Sequence, residues 1–202
     1  MNDLISQPHN KLIGALLIGG QSQRMGQPKC LLPKAGTTLG AFLWNLLTEC
    51  FGHPPILVGD GPLDPIMQNS LQIPDAGNFC GPVAGILGLH QHFPNRPFVV
   101  FAVDLYFMEA PALHWLSRQI ASHPGKAIWP KLPGRPFGEP LASVYPPAAR
   151  NLMAEAATKG ETALHRALPP NARLEPQIPL NLQRCFTNVN RPEDLPQPSP
   201  GP

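Results

Sequence analysis

Residues Leu12 to Ile18 form an unbroken apolar run, LIGALLI, that stops at Gly19-Gly20. A run without polar alternation suits a strand buried on both faces, as in parallel sheets covered by helices. Pro55–Gly59 (PILVG) and Phe98–Val103 (FVVFAV) read the same way, and the second runs directly into Asp104. Leu39, Phe42, Leu43, Leu46, Leu47 and Cys50 recur at spacings of three and four, which predicts an amphipathic helix capped by Thr37 or Thr38. Gly81-Pro82 opens a second helix through about His92, since proline suits the first helical turn. Further helices are expected at Glu109–His123, Ala148–Lys159 and Thr162–Leu168, and strands at Lys126–Pro130, Leu141–Tyr145 and Arg184–Asn188. This alternation predicts an α/β, three-layer Rossmann-like fold with a mostly parallel central sheet. At 202 residues the chain fits one domain, expected over 11–195, with a flexible start at 1–10 and a proline-rich disordered tail at 196–202. In such sheets ligands sit beyond the carboxyl ends of the strands, so the residues after Ile18 and after Val103 are the first candidates for a site.

Composition removes several function classes. A formal net charge of +2, with 14% charged residues, leaves no electrostatic footprint for nucleic acid. No apolar stretch nears the roughly 18 residues that span a bilayer, and MNDLISQPHNK lacks the pattern of a signal peptide, so a cytoplasmic protein is expected. The 28 prolines are dispersed between apolar runs and predict rigid loops. Cys30, Cys50, Cys80 and Cys185 form no CxxC pair, and they read as reduced thiols packed as small apolar residues. His90 and His92 lie two apart on a helix and so share no face for a metal. Trp44, Trp115 and Trp129 read as core or interface anchors, and the absence of GxSxG leaves Ser22 without support as a hydrolase nucleophile.

The loop after the first strand, Gly19-Gly20-Gln21-Ser22-Gln23-Arg24-Met25-Gly26-Gln27-Pro28-Lys29, carries the most chemistry. Its glycines let backbone N–H groups approach a ligand, and Arg24 and Lys29 add cations that grip phosphates. A strand, glycines and paired cations together make a polyphosphate cradle. The spacing fits neither GxxxxGK[ST] nor GxGxxG, and taken alone it also suits an ordinary βα loop with solvated Arg and Lys.

Leu17–Leu32, LIGGQSQRMGQPKCLL, closely resembles the N-terminal signature of the molybdenum cofactor guanylyltransferase group of nucleotidyltransferases. The resemblance continues through Gly81–Ile86 (GPVAGI), Phe101–Phe107 (FAVDLYF) and Phe186–Leu195 (FTNVNRPEDL), in the same order along the chain. It implies a nucleotidyltransferase that moves GMP from GTP to a phosphate of the molybdopterin (molybdenum) cofactor, releasing pyrophosphate. The implied nucleotide-binding positions are Leu17, Gly19, Gly20, Gly26, Lys29, Asp60, Asp75, Gly81 and Pro82, with Asp60 assigned to the base. Arg24, Lys29 and Asp104 would be catalytic, Asp104 holding Mg²⁺, and Asn188 and Asn190 would meet the acceptor. Asp104 would otherwise read as a helix cap after a strand. Implied partners are GTP, molybdopterin, other proteins of cofactor biosynthesis and apo-molybdoenzymes. Three departures mark this chain: Ala102-Val103 stands for the usual Pro-Cys, Tyr106 for a proline, and Gln27-Pro28 for x-Asp. Two alternatives stay open, a cytidylyl or sugar-phosphate nucleotidyltransferase of the same superfamily, and a catalytically silent nucleotide-binding paralogue.

Overall fold

The computed structural model describes residues 12–19, 25–77, 79–123 and 125–196. The expected loose start at 1–10, residues 197–202 of the tail expected at 196–202, and the candidate residues Gly20 and Arg24 lie outside the described residues. In chain order the elements are β1 (Ile13–Leu17), β2 (Pro33–Lys34), β3 (Thr37–Thr38), α1 (Leu39–Phe51), β4 (Ile56–Val58), β5 (Gln72–Ile73), α2 (Gly81–His92) and β6 (Phe98–Ala102). They continue as α3 (Ala110–Ser122), β7 (Ala127–Ile128), β8 (Ala142–Tyr145), α4 (Ala149–Thr158), α5 (Leu164–Ala167) and β9 (Arg173–Leu174).

Seven strands form one sheet in the order β5-β4-β1-β6-β8-β7-β9. β5, β4, β1 and β6 run parallel, while β8 is antiparallel to both β6 and β7. Strand alternation sends side chains to two separate cores. Leu16, Val99 and Phe101 pack on the α1 and α3 side, whereas Ala15, Phe98 and Val100 pack on the side of α2, α4 and α5. The predicted three layers are therefore present. α1 leads from β1 to β4, and α2 returns the chain across β1 to β6 on the other face. The direction of winding reverses at β1, and that reversal opens a crevice beyond its carboxyl end.

Local signals explain the better-read elements. Thr38 Oγ1 accepts from Ala41 N at 3.2 Å and caps α1, an interaction worth about 1 kcal/mol. Gly52 ends that helix in the left-handed region, φ 75°. One expected element is absent: the region of the predicted Arg184–Asn188 strand is occupied by the end of a 3-10 helix, Leu180–Phe186. Its buried residues, Leu182, Cys185 and Phe186, recur at helical spacing, which is the periodicity that decides the conformation. The thiols also differ from expectation. Cys30 and Cys185 are buried, but Cys50 is half-buried and Cys80 is exposed at the start of α2. Trp129 is fully buried, Trp115 nearly so, and Trp44 Nε1 donates to Ser70 Oγ at 2.7 Å. Among the described residues no helix is long and apolar enough to cross a membrane.

His90 is fully buried on α2, edge-on to the Phe98 ring at 5.2 Å, and neither ring nitrogen has a hydrogen-bond partner. Burial, assisted by Arg150, lowers its pKa from 6.5 to about 4. The folded chain therefore keeps His90 neutral, while the unfolded chain takes up a proton below about pH 6.5. Stability from this site is complete above that value and is lost as the pH falls toward 4, at up to roughly 1.4 kcal/mol per pH unit. Urea midpoints measured at pH 7.5 and pH 5 are expected to differ in the wild type, and the difference to shrink in His90→Leu. Equal pH sensitivity in both proteins would assign the loss to other groups.

Candidate functional site

Lys29 is delivered by a short 3-10 turn, Lys29–Leu31, that follows Pro28. Cys30 anchors this turn from below: it is buried against α1, where a Cβ on Gly40 would overlap its sulfur. Burial, with Asp64 as the lesser cause, pushes the Cys30 thiol up to about 11, so it packs as an inert group at neutral pH. Leu39 N donates to Leu32 O at 2.7 Å and closes the turn onto the helix start. Met25 is buried and Gly26 is exposed in the left-handed region, φ 69°, so Gly26 shapes the loop and does not line the cleft described below.

The turn brings the Lys29 ammonium 3.5 Å from Asp104 Oδ2, and it donates to Asn190 Oδ1 at 2.7 Å. Asp104 stands two residues beyond β6, and Val189 N donates to its carbonyl at 2.8 Å. Asp194 Oδ2 accepts from Asn190 N at 2.8 Å and Arg191 N at 2.9 Å, and these bonds hold its carboxyl below its usual range. The NVNRPED segment is thus a turn built to hold Asn190 at the end of the Lys29 side chain. Asn188 is half-buried and does not line the cleft.

Burial raises the pKa of the Asp104 carboxyl, with Lys29 opposing the shift. Its Oδ1 is buried and has no hydrogen-bond partner among the described residues. An orphaned carboxylate oxygen beside a fixed cation leaves a hard donor ready for a divalent ion, and Mg²⁺ is characteristically held by one or two carboxylates with phosphate oxygens and water. The residues therefore fit the ion implied by the sequence.

A third element closes the site. α2 starts with Gly81 at φ 70° and Pro82 in its first turn, and Cys80 makes no side-chain cap. A helix start of this kind favours anions and polar acceptors. Gly85 and Gly88 let the segment before α2 lie on the helix: a Cβ on Gly88 would come within 2.6 Å of Pro74 O, and one on Gly85 within 3.2 Å of Asp75 Oδ1. That packing carries Asp75 to the strand ends. Partial burial and the neighbouring Asp60 push the Asp75 carboxyl upward. The Asp60 loop is itself pressed against β1, because a Cβ on Gly61 would lie 2.5 Å from Ile18 O.

Together these groups surround a cleft of about 610 Å³. Leu17, Gly19, Lys29, Asp75, Gly81, Pro82 and Asp104 line it, so seven of the expected residues converge there. Asp60 does not line it but acts on Asp75 through its charge, and Asn190 is joined to it through Lys29. Val58, Ala102, Val103 and Leu141 supply apolar walls; Ala102 and Val103 stand where the resemblance has Pro-Cys, and Val58 and Leu141 had no site signal in the sequence. A cleft of about 600 Å³ at the opposite, amino end of β1 and β4, among Trp44, His53, Pro55 and Leu71, gathers no carboxylate. Tyr106, where a proline was expected, donates from its hydroxyl to Pro33 O at 3.1 Å and carries Lys34 over its ring at 4.4 Å. It joins the loop after Asp104 to the hairpin after Lys29.

The chain is 28% identical over 208 residues to a probable molybdenum cofactor guanylyltransferase of Rhodopirellula baltica, covering 98% of this chain and 97% of that one. It is 30% identical over 193 residues to the molybdenum cofactor biosynthesis bifunctional protein of Synechocystis, matching 92% of this chain but only 53% of that protein. It thus spans about half the length of that relative. Its fold resembles molybdopterin-guanine dinucleotide biosynthesis protein A from Archaeoglobus fulgidus, with a TM-score of 0.71, 22% identity, and coverage of 90% of this chain and 93% of that one. The profile of the MobA-like NTP transferase domain matches residues 14–174, from the first strand through the cleft-bearing sheet, and the chain therefore belongs to that nucleotidyltransferase family.

Proposed function

We propose that the chain transfers GMP from GTP to a phosphate of the molybdopterin (molybdenum) cofactor, releasing pyrophosphate and giving the guanine dinucleotide form. The observation that carries this reading is the meeting of Lys29, Asp104 and Asn190 at the mouth of the cleft between β1 and α2. Lys29, with Arg24, offsets the charge that builds on the phosphates, and the backbone of Gly19 and Gly20 cradles them. Gly81 and Pro82 present the start of α2 to the nucleotide. Asp60 and Asp75 are hydrogen-bond acceptors, suited to the N1–H and 2-amino donors of guanine. Asn190, whose Oδ1 is engaged by Lys29, keeps its amide N–H₂ to donate to the incoming phosphate, with Asn188 beside it in sequence.

In the reaction an acceptor phosphate oxygen forms a bond to the α-phosphorus while the bond to the β-phosphate oxygen breaks. The attacking group is already an anion, so positioning matters more than proton removal. A divalent ion held by Asp104 would supply charge neutralisation on the triphosphate. The product would then pass to apo-molybdoenzymes or other proteins of cofactor biosynthesis.

Pyrophosphate release with Mg²⁺ and a molybdopterin acceptor, assayed separately with GTP, CTP, ATP and UTP, tests this reading. Turnover confined to GTP is expected. Turnover with CTP would move the chain to the cytidylyl branch, and GTP binding without any turnover would make it a silent paralogue.

A further inference from the structure

The hairpin that follows Lys29 is too small to hold its own place. Its strands, β2 and β3, have two residues each, and a two-stranded pair of that length is not stable by itself. Its turn, Ala35-Gly36, has both residues at positive φ, 50° and 79°, as the primed turns of tight hairpins require. Where the hairpin sits is therefore set by what it is attached to. On one side it is rooted in α1. Thr38 caps that helix and donates from Oγ1 to Asp64 Oδ2 at 2.9 Å, and Leu39 N reaches back to Leu32 O at 2.7 Å. On the other side it meets Tyr106.

The loop after Asp104 presents that side chain rigidly. Leu105 and Met108 are buried, and Met108 N donates to Leu105 O at 3.1 Å. Tyr106 and Phe107, between them, are half-buried. The Phe107 ring meets the Tyr106 ring edge-on at 5.3 Å and is covered by the Arg184 guanidinium at 4.3 Å. Tyr106 Oη donates to Pro33 O at 3.1 Å, and its ring faces the Lys34 ammonium at 4.4 Å. Lys34 also lies 5.0 Å from the Phe42 ring on α1, so one cation joins that helix to the Asp104 loop.

Two segments are thus cross-linked twice. Residues 29–34 and 104–106 are joined at one end by the Lys29–Asp104 ion pair, 3.5 Å, and at the other by Tyr106 on Pro33 and Lys34. The links stand four positions apart in the first segment and two in the second. So short a ring has little slack, because the freedom lost on holding two ends together shrinks with the chain between them. The proline that the resemblance has at 106 would bring neither the hydroxyl nor the ring face.

We propose that Tyr106 is a positioning residue of the reaction centre. By fixing Pro33 and Lys34 against the Asp104 loop, it sets where the Lys29 ammonium stands relative to the Asp104 carboxylate. It does not line the cleft and acts through the Lys29 turn. The proposal rests on the reading of Lys29 and Asp104 as groups that meet the nucleotide and its metal ion.

Two measurements test it on Tyr106→Phe, which keeps the ring and loses the hydroxyl, and on Tyr106→Leu, which loses both. The first needs no reaction. It is a ¹H–¹⁵N correlation of the lysine ammonium groups, with Lys29 assigned by its loss in Lys29→Met. An ammonium held by a carboxylate and an amide exchanges slowly and gives a sharp signal. That signal is expected in the wild type, broadened in Tyr106→Phe and lost in Tyr106→Leu. The melting temperature of Tyr106→Phe should stay within about 4 °C of the wild type, the shift that one hydrogen bond gives in a chain of this size. The second measurement is a double-mutant cycle on pyrophosphate release. Tyr106→Phe is expected to lower kcat/KM for GTP about 3- to 10-fold in the wild type, the contribution of one hydrogen bond, and less than about 2-fold in Lys29→Met, where the group it positions is gone. A purely structural residue would lower both backgrounds equally. Equal losses, or a Lys29 signal that is unchanged in both Tyr106 variants or missing from the wild type, would overturn the proposal. Absence of GTP turnover in the wild type, with the ammonium signal behaving as expected, would overturn the proposed reaction and leave the placing of Lys29 by Tyr106 standing.

Discussion

Replacing Lys29 by methionine is expected to lower kcat/KM for GTP by about 10²–10³-fold, the range seen when one fixed group stabilising transition-state charge is removed. Among the described residues the side chain meets two groups that bear on chemistry. Its ammonium lies 3.5 Å from Asp104 Oδ2 and donates to Asn190 Oδ1. Methionine fills the stem and keeps Cys30 in its seat beside Gly40, so the loss isolates the charge from the packing. Arginine is not expected to rescue, because the fork of its guanidinium does not reproduce a point charge that bridges a carboxylate and an amide. A second signature follows from electrostatics. Burial raises the Asp104 carboxyl and Lys29 opposes that shift. Without Lys29 only a backbone hydrogen bond opposes burial, so the carboxylate protonates at higher pH and the acid limb of the pH–rate profile moves upward. Pyrophosphate release measured across pH reads both effects. An unmoved profile with a rate within threefold of the wild type would remove Lys29 from the mechanism.

Much of the frame is legible because buried parallel strands have an unmistakable composition. LIGALLI and FVVFAV became β1 and β6, and the stop of each run marked where the site begins. Shorter pieces are silent for a physical reason. β5 and β9 have two residues each, too few to express any periodicity. The insertion of antiparallel β8 between β6 and β7 depends on tertiary pairing, Phe101 with Ala142 and Ile128 with Val144, that no local pattern encodes. The Arg184–Asn188 strand failed because Leu182, Cys185 and Phe186 follow a helical period that begins upstream of the segment read as a strand.

The site divides along the same line. Lys29 and Asn190 are 161 positions apart, and no spacing rule joins them. The resemblance implied that both meet substrates, and what brings them to each other is local: the carbonyl of Asp104 holds Val189, and Asp194 folds the next turn back on itself. Gly40 carries no ligand signal either, yet it sets the depth at which the Lys29 turn docks. Tyr106 looked like a loss of the expected proline, and it is instead a clasp between the two loops that bear Lys29 and Asp104.

That division bears on the largest expected effect. Asp104→Asn is expected to reduce Mg²⁺-dependent pyrophosphate release by about 10³-fold or more, corresponding to the several kcal/mol of charge stabilisation that a bound metal contributes. The same substitution should not unfold the protein. Because burial lifts the Asp104 carboxyl above its ordinary range, its ionised form is less favourable in the folded chain than in the unfolded one at neutral pH. A neutral amide of the same shape removes that cost, and the backbone carbonyl still accepts from Val189 N at 2.8 Å. The variant should therefore melt at or above the wild-type temperature while losing activity, the trade expected where a fold carries a destabilising group for its chemistry. A structural cap would behave in the opposite way, with activity per folded molecule kept and the melting temperature lowered. Thermal melting and pyrophosphate release on one preparation of Asp104→Asn separate the two, and wild-type turnover in that preparation would take Asp104 out of the reaction.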